Sequence, residues 1–115
     1  MLLTFTVAAY GAAPKKGGVY VGDIKSSPFN MHVSLGVTAT GKGARFTYLC
    51  GTGRPPTTVR GISIDTTGRF KFTANPASGN DWKMAGRFVT PTTAFVSLNS
   101  VSCGGSKGST TLKLK

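Results

Sequence analysis

Side chains that could carry acid–base chemistry are scarce in this sequence of 115 residues, which has three aspartates, no glutamate and one histidine, His32. A hydrolytic triad would need His32 beside a serine and an aspartate, but its place on the polar side of a predicted strand favours an ordinary exposed histidine. Asp65 precedes a Thr-Thr-Gly turn, where an aspartate typically caps the backbone. The sequence brings no two carboxylates together, as hydrolysis by a carboxylate pair requires. We therefore expect that the protein is not an enzyme.

The sequence contains no motif typical of a cofactor site or a metal site. The glycines lack the spacing of phosphate-binding loops, which is G-x-x-x-x-G-K-[ST] or G-x-G-x-x-G. The cysteines show no C-x-x-C spacing, and one histidine with three aspartates cannot supply an all-protein metal cage. We expect neither a cofactor nor a bound metal.

Of the two cysteines, Cys50 ends one predicted strand and Cys103 follows another. Two cysteines in an exported domain most often form one bridge. Such a bridge would stabilise the fold by roughly 4 kcal/mol in the chain-entropy model. Two buried free thiols and a redox pair remain as alternatives. The prediction is a Cys50–Cys103 disulfide.

Basic residues are the other possible source of chemistry, since fourteen lysines and arginines give a formal net charge of +11. On the predicted strands Arg69 lies directly across from Arg87, where like charges are destabilising unless solvent or an anion screens them. One hypothesis is a surface that binds polyanions. Its candidate residues are Arg45, Arg60, Arg69, Lys71, Lys83 and Arg87. The alternative is a solvated surface that keeps an exported protein soluble.

A specific nucleic-acid interface is a separate hypothesis, raised by the stretch R-F-K-F. RNA-binding sheets expose aromatic rings that stack on bases. Phe70 and Phe72 instead continue the inward face of Ile62 and Ile64, so core packing explains them better. Trp82 is the one aromatic residue that could form an exposed platform, and core packing is favoured there as well. We infer no specific nucleic-acid partner and expect an anionic polymer or a membrane surface.

The elements that must position these residues are strands. Apolar and polar residues alternate along short segments, which is the period of a strand with one buried face. Segments rich in glycine, proline and asparagine separate them. About eight segments can be recognised, at residues 19–24, 31–37, 45–50, 62–64, 70–72, 82–88, 94–98 and 110–115. This pattern predicts an all-β domain without significant helix, either an antiparallel β-sandwich or a flattened up-and-down barrel.

Two predicted hairpins specify which residues face each other. In the first, Leu35 lies opposite Tyr48 and Val37 opposite Phe46, so that both apolar sets share one face. In the second, a Thr-Thr-Gly turn joins the fourth segment to the fifth. A three-residue loop with glycine in last place is a common hairpin connection.

Residues 1–13 form a segment of their own, MLLTFTVAAYGAA, which carries no charge. It is too short for a membrane-spanning helix, which needs about 20 residues. An apolar run that ends in small residues matches the end of a secretory signal peptide, with cleavage after Gly11, although a basic start is missing. The alternative is an N-terminal strand packed on the domain. We expect residues 1–13 to be a signal-peptide remnant and residues 14–115 to be a single β domain.

Several motifs occur in a characteristic order, namely PKKGGVYVGD, Cys50 at the end of an aromatic strand, GRFKFTA, GRFVTPTTAFVSL, and Cys103 before a short last strand. In this order the chain resembles the small secreted β-sandwich domains of actinobacterial exported proteins, whose function is usually unknown. The similarity covers about residues 14–115 and includes a Y-x-G motif near the first strand, here Tyr20-Val21-Gly22. The resemblance implies export and a disulfide, and it supplies no catalytic residues.

These observations together predict a structural or interaction domain that is secreted or belongs to the cell envelope. Its basic surface would bind polyanions such as wall polymer, acidic glycan or extracellular DNA, without catalysis. The alternative function is a carrier of a small ligand, because an eight-stranded barrel can enclose one small molecule. The many inward phenylalanines and isoleucines favour a filled interior instead.

Overall fold

Eight strands make up most of the chain. The computed structural model describes residues 11–75, 77 and 81–115. The strands are β1 Val19–Ile24, β2 Met31–Val37, β3 Gly43–Cys50, β4 Thr57–Ser63, β5 Arg69–Thr73, β6 Trp82–Thr90, β7 Thr93–Ser100 and β8 Ser106–Leu114. A 3-10 turn, Val101–Cys103, links β7 to β8. None of the helical segments in the described part of the chain has the length and apolar character needed to cross a membrane.

The strands form one antiparallel sheet, in the order β4-β3-β2-β1-β8-β7-β6-β5, which curls until it is nearly closed. Strands that follow each other in the chain are neighbours, and β1 also pairs with β8 through Tyr20 opposite Leu114 and Val21 opposite Lys113. The exception is β4 and β5, which are consecutive in the chain but form the two edges of the sheet. The all-β prediction is confirmed, and the arrangement is the up-and-down one.

Aromatic side chains fill the interior of the sheet. Trp82 stacks on Phe46 with ring centroids 5.8 Å apart and meets Tyr48 edge-on at 5.1 Å. Phe70 packs edge-on against Phe88 at 5.3 Å. Trp82 and Phe70 are each only 4% exposed, so the core packing predicted for them is confirmed. The largest fully buried side chains are Tyr20, Phe46, Phe88, Ile24, Met31, Leu35 and Leu98.

The predicted pairing of β2 with β3 has the correct faces but the wrong register. Leu35 lies opposite Phe46, and Val37 lies opposite Ala44. The cause is a tighter turn than expected, because Thr38 N already donates to Gly43 O at 2.9 Å. A shift of two residues along one strand leaves every side chain on its original face. The inward set is therefore unchanged.

The predicted hairpin between β4 and β5 is wrong beyond its turn. The turn forms, since Asp65 N donates to Arg69 O at 3.0 Å and Gly68 N donates to Asp65 O at 3.0 Å. Beyond it, within the described residues, β4 pairs with β3 alone and β5 with β6 alone. Gly61, at a φ of 75°, and a bulge in the β3–β4 pairing interrupt the regular run of β4, and bulges bend a strand. We call the gap between β4 and β5 the seam.

The predicted disulfide is present. Cys50, at the end of β3, is bonded to Cys103 in the 3-10 turn, with Cα atoms 5.7 Å apart. Both residues are buried. Nearby, the hydroxyls of Tyr48 and Ser100 share a hydrogen bond of 2.9 Å, and Ser100 Oγ also accepts from Cys103 N at 3.0 Å. The bridge joins two parts of the sheet that are not neighbouring strands, and a disulfide is consistent with an extracellular protein.

Gly11 and Ala12 pack against the turn end of the seam. Ala12 N donates to Phe88 O at 2.8 Å. Gly68 is required beside them, because a Cβ at that position would come within 2.5 Å of Ala12 O. The predicted cleavage point after Gly11 thus lies next to a backbone contact with β6. Residues 1–10, which form most of the predicted signal segment, lie outside the described residues.

Candidate polyanion-binding face

A pair of like charges lies on the outer face of β5 and β6. Arg69 is directly opposite Arg87, and Phe70 is opposite Gly86, as the sequence predicted. Both arginines are exposed. Among the described residues, no carboxylate lies within ion-pair distance of either arginine. Two such cations on neighbouring strands repel each other unless solvent or an anion screens them.

A row of small residues runs across the outer face of the sheet. Ala85 on β6, Ser97 on β7 and Ser109 on β8 lie opposite one another, and Lys71 on β5 is at the end of the row. The hydroxyls of Ser97 and Ser109 share a hydrogen bond of 3.1 Å. Because the residues on either side are larger, this row is the floor of a groove that crosses the strands. We call it the basic groove.

Longer side chains form the two walls of the basic groove. One wall consists of Thr73, Lys83, Asn99 and Lys107, and the other of Arg69, Arg87, Phe95 and Thr111. From the dimensions of a sheet, the walls are about 13 Å apart and the groove is about 14 Å long. The cavity at the floor and the first wall has a volume of about 540 Å³. Its lining includes Lys71, Lys83 and Lys107 and no carboxylate.

Two further concave surfaces continue from the basic groove. A cavity of about 650 Å³ opens at the seam and shares Lys71 and Ala85 with the groove. A smaller one, of about 290 Å³, is lined by Arg45 and Arg60 and shares Gly61 with the seam cavity. Of the six residues predicted from the sequence to bind polyanions, four lie at the basic groove, namely Arg69, Lys71, Lys83 and Arg87. Arg45 and Arg60 line the smaller cavity, which shares no lining residue with the groove.

Asp65 is the acidic residue that lines the seam cavity. Its Oδ1 accepts hydrogen bonds from Thr67 Oγ1 at 2.6 Å, Thr67 N at 2.9 Å and Arg69 N at 2.9 Å. The bond from the Thr67 hydroxyl, followed by that from the Arg69 N–H, lowers the pKa of the Asp65 carboxyl below its ordinary value. The turn-capping role predicted for Asp65 is confirmed. The carboxylate is within ion-pair distance of no described cation, and it accepts hydrogen bonds from the turn instead.

His32 has a partner that sequence reasoning missed. Its Nδ1 lies 2.6 Å from Oδ1 of Asp23, the residue directly opposite on β1. Both side chains are more than half exposed, so the pair lies in solvent. Aligning β1 with β2 as a hairpin would have revealed it.

Lys107 is the other residue that sequence reasoning missed. The last predicted strand covers residues 110–115, whereas β8 already begins at Ser106. The available signal was alternation, since Lys107, Ser109 and Thr111 are exposed and Leu112 is fully buried. Lys107 completes one wall of the groove.

Known proteins supply no further guide to the site. A comparison with known protein families finds no matching family, and searches of curated proteins and of solved structures find no similar chain. The resemblance to secreted actinobacterial domains therefore stays a prediction. In the described part of the chain, no three His, Cys, Asp or Glu side chains come together as a metal site would require.

Proposed function

We propose that this protein is an exported, non-catalytic binding domain whose basic groove holds a linear polyanion at the cell envelope. The observation that carries the proposal is the placement of Lys71, Lys83 and Lys107 around one cavity whose lining has no carboxylate. Fixed cations that no acid balances raise the local concentration of an anionic ligand. Arg69 and Arg87, in the second wall, also attract an anionic ligand.

The shape of the groove favours a single chain that crosses the strands. Its walls are about 13 Å apart, which accommodates one linear polymer lying on the floor of small residues. Ser97 and Ser109 place hydroxyls on that floor, and a hydroxyl can donate to a phosphate, carboxylate or sugar oxygen. Anionic wall polymers, acidic glycans and single-stranded extracellular DNA all present such oxygens.

The disulfide supports a location outside the cell. Bridges such as Cys50–Cys103 persist in oxidising compartments and are rare in the cytosol. The cell envelope is a compartment of that kind, and it is rich in anionic polymers. A carrier of small ligands has weaker support, because it needs an open interior, whereas Phe46, Trp82 and Phe88 pack inside the sheet.

The decisive experiment compares two triple variants with equal charge. In the groove variant, lysines 71, 83 and 107 are replaced by glutamine. In the control variant, three exposed lysines outside the basic groove are replaced in the same way: Lys16, Lys42 and Lys115. Binding of fluorescent heparin and of single-stranded DNA is measured between about 50 and 200 mM salt.

We expect the wild type to bind steeply less as salt rises, because each neutralised anionic group releases a counterion. The groove variant should bind more weakly, and its log–log salt slope for single-stranded DNA should be smaller by about two, since three contacts are lost. The control variant should stay close to the wild type. Equal losses in both variants would show that net charge alone is responsible, and retention that ignores salt would exclude electrostatic binding altogether.

A further inference from the structure

The edge of β5 presents free backbone groups to the seam. Ala74 N donates to Trp82 O, and Phe88 N donates to Gly68 O, both at 2.9 Å. Backbone groups along a strand point alternately to its two sides, so the even-numbered residues of β5 face β6. The N–H and C=O groups of Lys71 therefore face the seam, as do those of Thr73.

At one end of the β5 edge, the backbone groups are hydrogen-bonded to the turn, and further along the edge they are not. Arg69 also faces the seam, where its N–H donates to Asp65 Oδ1 and its C=O accepts from Asp65 N. For the backbone of Lys71 and Thr73, no hydrogen-bond partner exists among the described residues, because β4 does not pair with β5. Two donors and two acceptors at alternate positions are the pattern to which an added strand binds.

The cavity at the seam lies beside this edge and has a basic outer side and an apolar inner side. Its outer side carries Arg69 and Lys71, and its inner side carries Ile62, Phe70 and Phe72. The volume of about 650 Å³ lies beside the free backbone groups. A strand placed next to β5 would point alternate side chains at these two sides.

We propose that an extended segment of a partner protein adds to the edge of β5, with acidic residues alternating with apolar ones. The acidic side chains would face Arg69 and Lys71, and the apolar ones would face Phe72 in the seam. A second copy of this chain does not have that chemistry, because antiparallel pairing of two β5 edges would bring like charges together. β4 is a poorer receptor than β5, because Gly61 and the adjacent bulge break its regular edge. This site shares Arg69 and Lys71 with the polyanion-binding surface, but it also needs the backbone groups of Lys71 and Thr73, which polyanion binding does not use.

The test uses a defined peptide and a substitution that removes one seam-facing donor. The probe is a fluorescent, end-capped peptide of alternating glutamate and valine, and its control has the same composition with the two residue types in separate blocks. Thr73→Pro removes an N–H that does not pair with β6, a place where an edge strand tolerates proline. Thr73→Val keeps the N–H and serves as the matched variant.

Wild type and Thr73→Val should bind the alternating peptide and not the block peptide. Thr73→Pro should bind it about fivefold more weakly than Thr73→Val does, which corresponds to one lost hydrogen bond. Equal binding of both peptides by the wild type, or equal binding of the alternating peptide by Thr73→Pro and Thr73→Val, would overturn strand addition. A dimer that forms in the wild type but not in Thr73→Pro would assign the edge to a second copy and would also overturn it.

A second measurement avoids any dependence on how well the proline variant folds. Amide hydrogen exchange in the wild type should be fast at Lys71 and Thr73 and slow at Phe70 and Phe72, whose N–H groups face β6. Addition of the alternating peptide should protect Lys71 and Thr73 selectively. Protection of these two amides before the peptide is added would mean that the seam is closed in solution, and the proposal would then be wrong.

Discussion

Removal of the Cys50–Cys103 bridge should lower the stability of the fold by an amount that follows from the length of the loop it closes. The two cysteines are 53 residues apart in sequence. In the chain-entropy model, closing a loop of that length removes about 14 cal/mol/K from the unfolded chain, which is about 4 kcal/mol at 25 °C. For a domain of this size, the same loss lowers Tm by about 15 °C.

The perturbation is the double variant Cys50→Ala/Cys103→Ala, measured by urea unfolding beside wild-type protein kept reduced. Both cysteines are buried, so alanine is preferable to serine, whose hydroxyl would need a partner. The two samples should lose similar stability, and the double variant should still bind heparin at temperatures where it is folded. A loss below about 1 kcal/mol would contradict the entropic argument, because the bridge would then not restrict the unfolded chain.

Two single substitutions test the electrostatics of the basic groove and of the seam cavity. Replacing Arg87 with threonine should raise the free energy of unfolding by about 0.2–1 kcal/mol at low salt, because it removes the repulsion with Arg69. The same substitution should weaken heparin binding. If neither the stability nor the heparin affinity changes, the charge pair is already screened. Replacing Asp65 with asparagine should destabilise the fold at neutral pH. Because the pKa of Asp65 is lowered in the folded state from 3.8, its contribution is complete above that value and is lost as pH falls through the lowered pKa. Urea unfolding at several pH values checks this, and a difference that persists in strong acid would contradict it.

The faces of the strands could be predicted from the sequence because alternation is a local property. Core packing of Phe70 and Trp82 follows from it directly. Register is harder, since a slip of two residues preserves every face. The predicted β5–β6 register, with Arg69 opposite Arg87, is correct. The predicted β2–β3 register is displaced by two residues, an error that alternation alone cannot reveal.

The state of the seam could not be predicted from the sequence. The Thr-Thr-Gly turn has all the features of a hairpin connection, and it forms as expected. Whether the strands on either side continue to pair depends on how the whole sheet curls and where bulges bend it. The bulge in the β3–β4 pairing and Gly61 are part of that geometry, and neither has a local signal strong enough to outweigh the turn.

The sequence alone determined the amount of charge and its orientation. Fourteen basic residues against three acidic ones lie at polar positions of alternating segments or in the polar segments between them, and therefore face outward from an all-β core. Only the tertiary structure decided that Lys71, Lys83 and Lys107 border one groove, because strand order and register bring residues from distant parts of the chain to the same face. It also decided that β5 has a free edge, because closure of a sheet is a property of all eight strands together.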